Sequence, residues 1–161
     1  LSGSILSGKI SNVITDATDK YGVWTHGSTY SAHPISCAAG VANLNHIDNH
    51  QLIKKGKAIS KYFNFKLKEK FQDHPQVGDV RGIGLLSAIE LVKDKKNRKF
   101  FEKKGKLSQE IVMKMAKNGV LARAMPAGDT IGFAPAFCIS NDEIDTILDV
   151  TLQSIDEVIN N

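Results

Sequence analysis

The sequence predicts a mixed chain of α+β or α/β organisation, and three observations predict it. Apolar residues recur at helical spacing over residues 52–71 and again over 144–159. Between them, residues 77–92 read as two short strands around a glycine turn. Strand-like and helical runs then alternate to the end of the chain, the order expected of a small sheet covered by helices.

Taken in order, Ser4-Ile5-Leu6-Ser7, flanked by Gly3 and Gly8, suits a short buried strand. Ile10, Val13 and Ile14 suggest one or two helical turns, and a polar loop runs from Gly22 to Ala32. Pro34 suits the first position of a helix, where its missing N–H costs nothing. Ile35, Ala38, Ala39, Ala42 and Ile47 form that helix's apolar face. A second helix from about Asn49 carries the stripe Leu52, Ile59, Phe63, Leu67 and Phe71, and His74-Pro75 ends it.

After the two strands, residues 93–106 form a basic surface excursion, eight Lys or Arg against Asp94 and Glu102. Residues 108–118 are helical, with Ile111, Val112 and Met115 inward and Gly119 as the stop. Residues 120–125 and 130–134 make a hairpin-like pair of strands around Pro126-Ala127-Gly128-Asp129. Ser140-Asn141-Asp142-Glu143 is a capping box opening the last helix, whose inward residues are Ile144, Ile147, Leu148, Ile155, Val158 and Ile159.

The totals bound the function. A chain of 161 residues, 42% apolar and 24% charged, can bury a real core. A net charge of +4 is too weak to argue for nucleic acid by itself. Cys37 and Cys138 show no metal-site spacing and read as buried small hydrophobes in a reducing compartment. No apolar run is long enough to span a bilayer and no signal-peptide pattern is visible, so the expectation is a cytoplasmic protein. The first residue is Leu1, and the chain is expected to begin inside a longer protein.

The chemistry concentrates in Trp24-Thr25-His26-Gly27-Ser28-Thr29-Tyr30-Ser31-Ala32-His33-Pro34. A turn rich in Gly, Ser and Thr just before a helix offers hydroxyls and backbone N–H groups to an anion. No catalytic pair lies inside it, so it reads as a place that holds something phosphorylated. His46 and His50, four apart, lack a third ligand and are not read as a metal site. Gly78, Gly82 and Gly84 do not form a dinucleotide fingerprint.

Three motifs in order carry a resemblance to a known family. They are His26-Gly27-Ser28-Thr29-Tyr30-Ser31-Ala32-His33-Pro34, then Val77-Gly78-Asp79-Val80-Arg81-Gly82-Ile83-Gly84-Leu85, then Arg123-Ala124-Met125-Pro126-Ala127-Gly128-Asp129-Thr130-Ile131-Gly132-Phe133-Ala134-Pro135. Over nearly its whole length the chain resembles the C-terminal portion of a class III aminotransferase of the omega-amino-acid:pyruvate type, dependent on pyridoxal 5′-phosphate. The resemblance implies a fold-type-I transferase of α/β class. Residues 1–50 would be the end of the large cofactor-binding domain, and 51–161 the small α+β domain.

It also implies roles. Thr29, aided by Ser28, would contact the cofactor phosphate across a homodimer interface with shared active sites, in a dimer or a tetramer. Arg123 would bind the substrate carboxylate, and a guanidinium fork suits that task. Gly132 stands where ornithine-type relatives carry an arginine, which favours an omega-amino acid or amine as donor and pyruvate as acceptor. The Schiff-base lysine and the aspartate at the pyridine nitrogen would lie upstream of Leu1; Lys9 aligns with a helix start and is not assigned as catalyst. The chain alone is therefore expected to be inactive. Ala136 departs from the family's usual second proline, a minor change in a turn. Arg81 is expected to pair with Asp79 or Glu90 rather than with a ligand. Two other readings stay open: an aminomutase or a diamine or 4-aminobutyrate transaminase on the same scaffold, and a non-catalytic binding module that uses the basic loop.

Overall fold

The computed structural model describes residues 2–160. It divides into two compact units, one running to His50 and one starting at Gln51.

The first unit holds two helices, α1 (Gly8–Tyr21) and α2 (Pro34–Asn49). The Ser7 side chain caps α1 by accepting from the Ile10 N–H at 3.4 Å, and Gly22, at φ +85°, stops it. These two signals extend α1 to 14 residues, beyond the one or two turns expected. Pro34 sits in the first turn of α2 as anticipated. The strand expected at residues 4–7 is absent: the segment is exposed, with Ile5 fully so, and it has no partner strand among the described residues. A strand's backbone needs a neighbour to pair with. Neither α1 nor α2 buries a residue, and Val13, Trp24, Tyr30, Ile35 and Leu44 are all exposed. The apolar face anticipated on α2 therefore has no core to enter within this unit.

The second unit has two layers. Its sheet has the order β1 (Val77–Ile83), β2 (Leu86–Leu91), β4 (Thr130–Phe133), β3 (Arg123–Ala124), all antiparallel. Helices α3 (Leu52–Phe71), α4 (Lys106–Lys117) and α5 (Asn141–Ile159) supply the other layer. The core gathers Phe63, Leu67 and Phe71 of α3, Ile89 and Leu91 of β2, Ile111 and Met115 of α4, Ile131 and Phe133 of β4, and Ile144, Leu148 and Ile155 of α5. The helical residues among these are ones that the spacing pointed inward; the strand residues alternate with outward neighbours, as a one-sided sheet requires. Phe63 meets Phe133 edge-on at 6.1 Å between ring centres.

Polar contacts fix how these elements meet. Tyr62 Oη donates to the Asp145 carboxylate at 2.8 Å, joining α3 to α5, and Lys70 pairs with Asp149 along the same seam. Asn64 Nδ2 donates to the carbonyls of Ser60 (2.8 Å) and Gly84 (2.7 Å), and Ser87 Oγ donates to Asn64 Oδ1 (3.2 Å). One α3 side chain thus pins the β1–β2 turn, where Gly84 takes φ +60°. The capping box of α5 is complete. Glu143 N–H donates to Ser140 Oγ at 3.2 Å, and Ser140 N–H donates to Glu143 Oε2 at 2.8 Å.

Two expectations need correction here. The strand over 120–125 shrinks to Arg123–Ala124, because Val120 N–H bonds back to Met115 O at 3.0 Å and closes α4, leaving Leu121 exposed. The cysteines are not buried: Cys37 is half-buried and Cys138 is exposed. In the turn leading to α5 it is Ile139, next to Cys138, that packs on the core.

Candidate functional site

In the first unit, Ser28 and Thr29 lie in the turn that delivers the chain to α2. Ser28 N–H donates to Ser31 Oγ at 3.1 Å, the two serine hydroxyls lie 3.3 Å apart, and Ser31 N–H donates to Ser28 O at 3.0 Å. This local network shapes the turn. Thr29 is exposed, and its hydroxyl has no hydrogen-bond partner among the described residues. Trp24 stacks on His26 at 5.4 Å, and Tyr30 leans on His33 at 5.9 Å. Residues 23–33 include no acidic side chain. A free hydroxyl next in sequence to a second one, in a segment without acidic residues, suits a phosphate. His46 and His50 bring their rings to 4.3 Å, and no group of three His, Cys, Asp or Glu gathers among the described residues.

In the second unit, the sheet face opposite the helices is open and forms a groove of about 1120 Å³. Cross-strand register explains its floor. Arg81 pairs with Ala88, Ala88 with Gly132, and Gly132 with Arg123. Residues opposite one another in a pleated sheet project to the same face. The row therefore spans about 14 Å at three strand spacings, with an arginine at each end and only Ala88 and Gly132 between. Small residues in the middle keep the groove deep.

The two arginines differ in state. Arg81 Nη1 donates to Asp79 Oδ2 at 2.6 Å and to Glu90 Oε2 at 3.0 Å. The hydrogen bond to Asp79 first, with that to Glu90 adding, holds its guanidinium even more firmly protonated than an ordinary arginine. Arg81 is thus occupied by structural pairs, as its sequence neighbours suggested. Arg123 lines the same groove with no ion-pair partner among the described residues.

Behind the groove, the β3–β4 turn is anchored. Asp129, buried in its wall, accepts the Ser108 N–H on Oδ1 at 3.1 Å, satisfying a free donor in the first turn of α4. The sequence reading did not single out Asp129, and no spacing signal could have done so: donor and acceptor stand 21 residues apart. Lys104 and Phe100, from the basic loop, also line the groove. Composition alone marked them only as part of a solvated charge run. That loop is ordered rather than featureless: Asp94 bridges to Lys99 and accepts from Asn97 N–H at 3.0 Å and Nδ2 at 2.7 Å. Among the described residues, no helix is long and apolar enough to cross a membrane.

Comparison with known proteins reads these features together. The chain is 36% identical over 98% of its length to a diaminobutyrate–2-oxoglutarate transaminase of Halomonas elongata. It is 34% identical over 89% of its length to a putrescine–pyruvate aminotransferase of Pseudomonas aeruginosa. Among solved structures, a transaminase from directed evolution by ancestral reconstruction superposes with a TM-score of 0.89 at 40% identity, over 97% of this chain and 34% of that one. The chain spans about a third of the length of the curated relatives it matches, 34% and 31% for these two. The solved neighbours are fold-type-I transaminases, and the family depends on pyridoxal 5′-phosphate. The family profile for class-III aminotransferases matches residues 2–155, which takes in the hydroxyl turn, the pinned hairpin and the arginine groove alike, and the chain belongs to that family.

Proposed function

We propose that the complete protein moves an amino group from an omega-amino acid or amine to a keto acid such as pyruvate. In it, residues up to His50 would end the large domain and those from Gln51 would form the small one. The single observation that carries the reading is an unpaired Arg123 beside side-chain-free Gly132 in an open groove, within a chain that matches the family from residue 2 to 155. Two relatives, named for putrescine and diaminobutyrate, support an amine distant from any carboxylate as donor.

Thr29 and Ser28 donate hydrogen bonds to the cofactor phosphate of the second subunit of a homodimer, fixing it with neutral groups. Arg123 grips the substrate carboxylate in its two-pronged geometry. Pyridoxal 5′-phosphate, when bound, supplies the electron sink for amino exchange. The lysine that anchors it comes from a part of the protein outside these 161 residues, so these residues alone do not turn over substrate. The exposed apolar residues of α1 and α2 support this, because they require a covering surface that the first unit does not contain.

The full-length protein, given pyridoxal 5′-phosphate, a diamine donor and pyruvate, is expected to absorb visible light and to form alanine. A colourless protein that forms no amino acid from any donor and keto acid would overturn the reading.

A further inference from the structure

We propose that His33 is a positioning residue for the hydroxyl turn: its buried Nδ1 accepts a hydrogen bond from the surface that covers the first unit, and that bond holds the turn in the shape that presents Thr29 to the cofactor phosphate. The inference rests on the transaminase reading and adds a residue to its cofactor site.

Two unfavourable features meet at adjacent residues. His33 Nδ1 is buried, and it has no hydrogen-bond partner among the described residues. A polar atom that loses water and gains no partner is costly. The preceding residue, Ala32, takes φ +56°, a left-handed backbone in which a Cβ is crowded. Costs of this kind gather where a later contact offsets them, at sites that hold a ligand or a partner. Pro34 explains why the strain falls where it does. A proline bars helical backbone at the residue before it, and His33 is extended at φ −57°, ψ +123°. The change of course into α2 is therefore left to Ala32.

The His33 ring is tied to the turn that carries Thr29. Its own N–H donates to Tyr30 O at 3.3 Å, and its carbonyl accepts the Cys37 N–H at 2.9 Å. The ring leans on the ring of Tyr30, the residue after Thr29, at 5.9 Å between centres. Holding the imidazole thus holds the turn through backbone and side chain together. His33 is the N-cap of α2 and makes no side-chain cap bond. The positive end of a helix favours a lone pair at Nδ1 over an N–H. Residues 23–33 also carry no acidic side chain to receive an N–H. The partner of Nδ1 is accordingly an N–H or O–H donor. It comes from the covering surface that exposed Val13, Ile35 and Leu44 already require.

The test uses the full-length protein and three substitutions. His33→Asn puts an amide oxygen at the Nδ1 position. His33→Phe keeps a ring and removes the acceptor. His33→Ser can cap α2 but is too short to reach the Nδ1 position. Fluorescence titration with pyridoxal 5′-phosphate should show affinity falling about tenfold in His33→Phe and His33→Ser, and staying within about threefold of wild type in His33→Asn. The second readout is amide hydrogen exchange over residues 28–33 by mass spectrometry, which needs no cofactor. Exchange should quicken in His33→Phe and His33→Ser and stay slow in His33→Asn. An active enzyme whose cofactor affinity and exchange survive His33→Phe overturns the inference and leaves the transaminase reading standing. Equal losses in His33→Asn and His33→Ser overturn it too, since an acceptor at that place would then make no difference. A protein that takes up no cofactor yet shows this exchange pattern ends the transaminase reading and keeps His33 as the anchor of the turn.

Discussion

Arg123 and Gly132 stand directly opposite each other across β3 and β4. A methyl added at Gly132 would approach Met125 Sδ at 3.4 Å and Arg123 O at 3.7 Å, which is ordinary contact. Gly132→Ala should therefore fold, with stability within about 1 kcal/mol of wild type. Because the methyl rises from the groove floor beside Arg123, kcat/KM for keto acids should fall severalfold. Gly82, on β1, behaves differently. A methyl there would overlap Asn64 Oδ1 and Ser87 Oγ, which already bond each other and hold the β1–β2 turn. Gly82→Ala should cost about 1–3 kcal/mol, read from urea unfolding of the full-length protein. Equal effects at the two glycines would contradict the packing described.

Removing the paired arginine should matter little. Arg81 is half exposed and its pairs with Asp79 and Glu90 are solvent-screened. Arg81→Ala should lower stability by about 1 kcal/mol or less. It should leave the KM for pyruvate near the wild-type value. A large rise in KM would mean that Arg81, not Arg123, receives the carboxylate.

Asp129 offers a sharper stability test. Its buried carboxylate is the acceptor for the first turn of α4. Asp129→Ala should cost about 1–2 kcal/mol, the range of a lost helix cap. Asp129→Asn keeps an acceptor oxygen and should lose less. Chemical denaturation of the three forms decides it, and equal losses would show that the hydrogen bond is not what the side chain provides.

The phosphate contact predicts a graded pair. Thr29→Val preserves shape and removes the free hydroxyl. Affinity for pyridoxal 5′-phosphate should fall about tenfold, the worth of one hydrogen bond to a charged group. Ser28→Ala should fall less, because the Ser28 hydroxyl is already shared with Ser31. Fluorescence titration of the full-length apoprotein measures both. A Thr29→Val protein that binds the cofactor as wild type does would remove Thr29 from the site.

Acid should loosen the start of α5. The Ser140 N–H, then the Ser140 hydroxyl, hold the Glu143 carboxyl below its ordinary value of 4.5. A depressed folded value means that the contribution is fully present above about pH 4.5 and is lost as pH falls through the folded value. Glu143→Gln should therefore lower stability near neutrality, where the carboxylate contributes, and flatten the pH dependence of unfolding below pH 4.5. An unchanged acid limb would show that the capping carboxylate is not linked to stability.

The legible part of this protein was the part governed by local periodicity. Phe63, Leu67 and Phe71, or Ile144, Leu148 and Ile155, announce a buried helix face through spacing alone, and each is buried. Ser140 to Glu143 announces its helix start through the chemistry of the cap. Residues 4–7 failed for the opposite reason: apolar composition favours a strand, but only a neighbouring strand makes one, and none lies beside them among the described residues. The short β3 failed because Val120 gives its N–H to α4, a competition between two elements that neither segment displays by itself.

The amino-acid sequence by itself determined the family, the helices, the strand pairs, the hydroxyl turn at Ser28 and Thr29, and Arg123 as the cation of interest. The sequence already suggested Asp79 or Glu90 as the partner of Arg81; tertiary structure decided that both carboxylates take it. Glu90 reaches Arg81 across the strands and Asp79 reaches it from two residues away on β1, whereas Arg123 has no carboxylate partner among the described residues. Tertiary structure likewise brought Lys104 of the basic loop into the lining of the groove that Arg123 also lines. Periodicity reports how a segment meets a core, whereas charge pairing depends on distances between segments that only folding brings together.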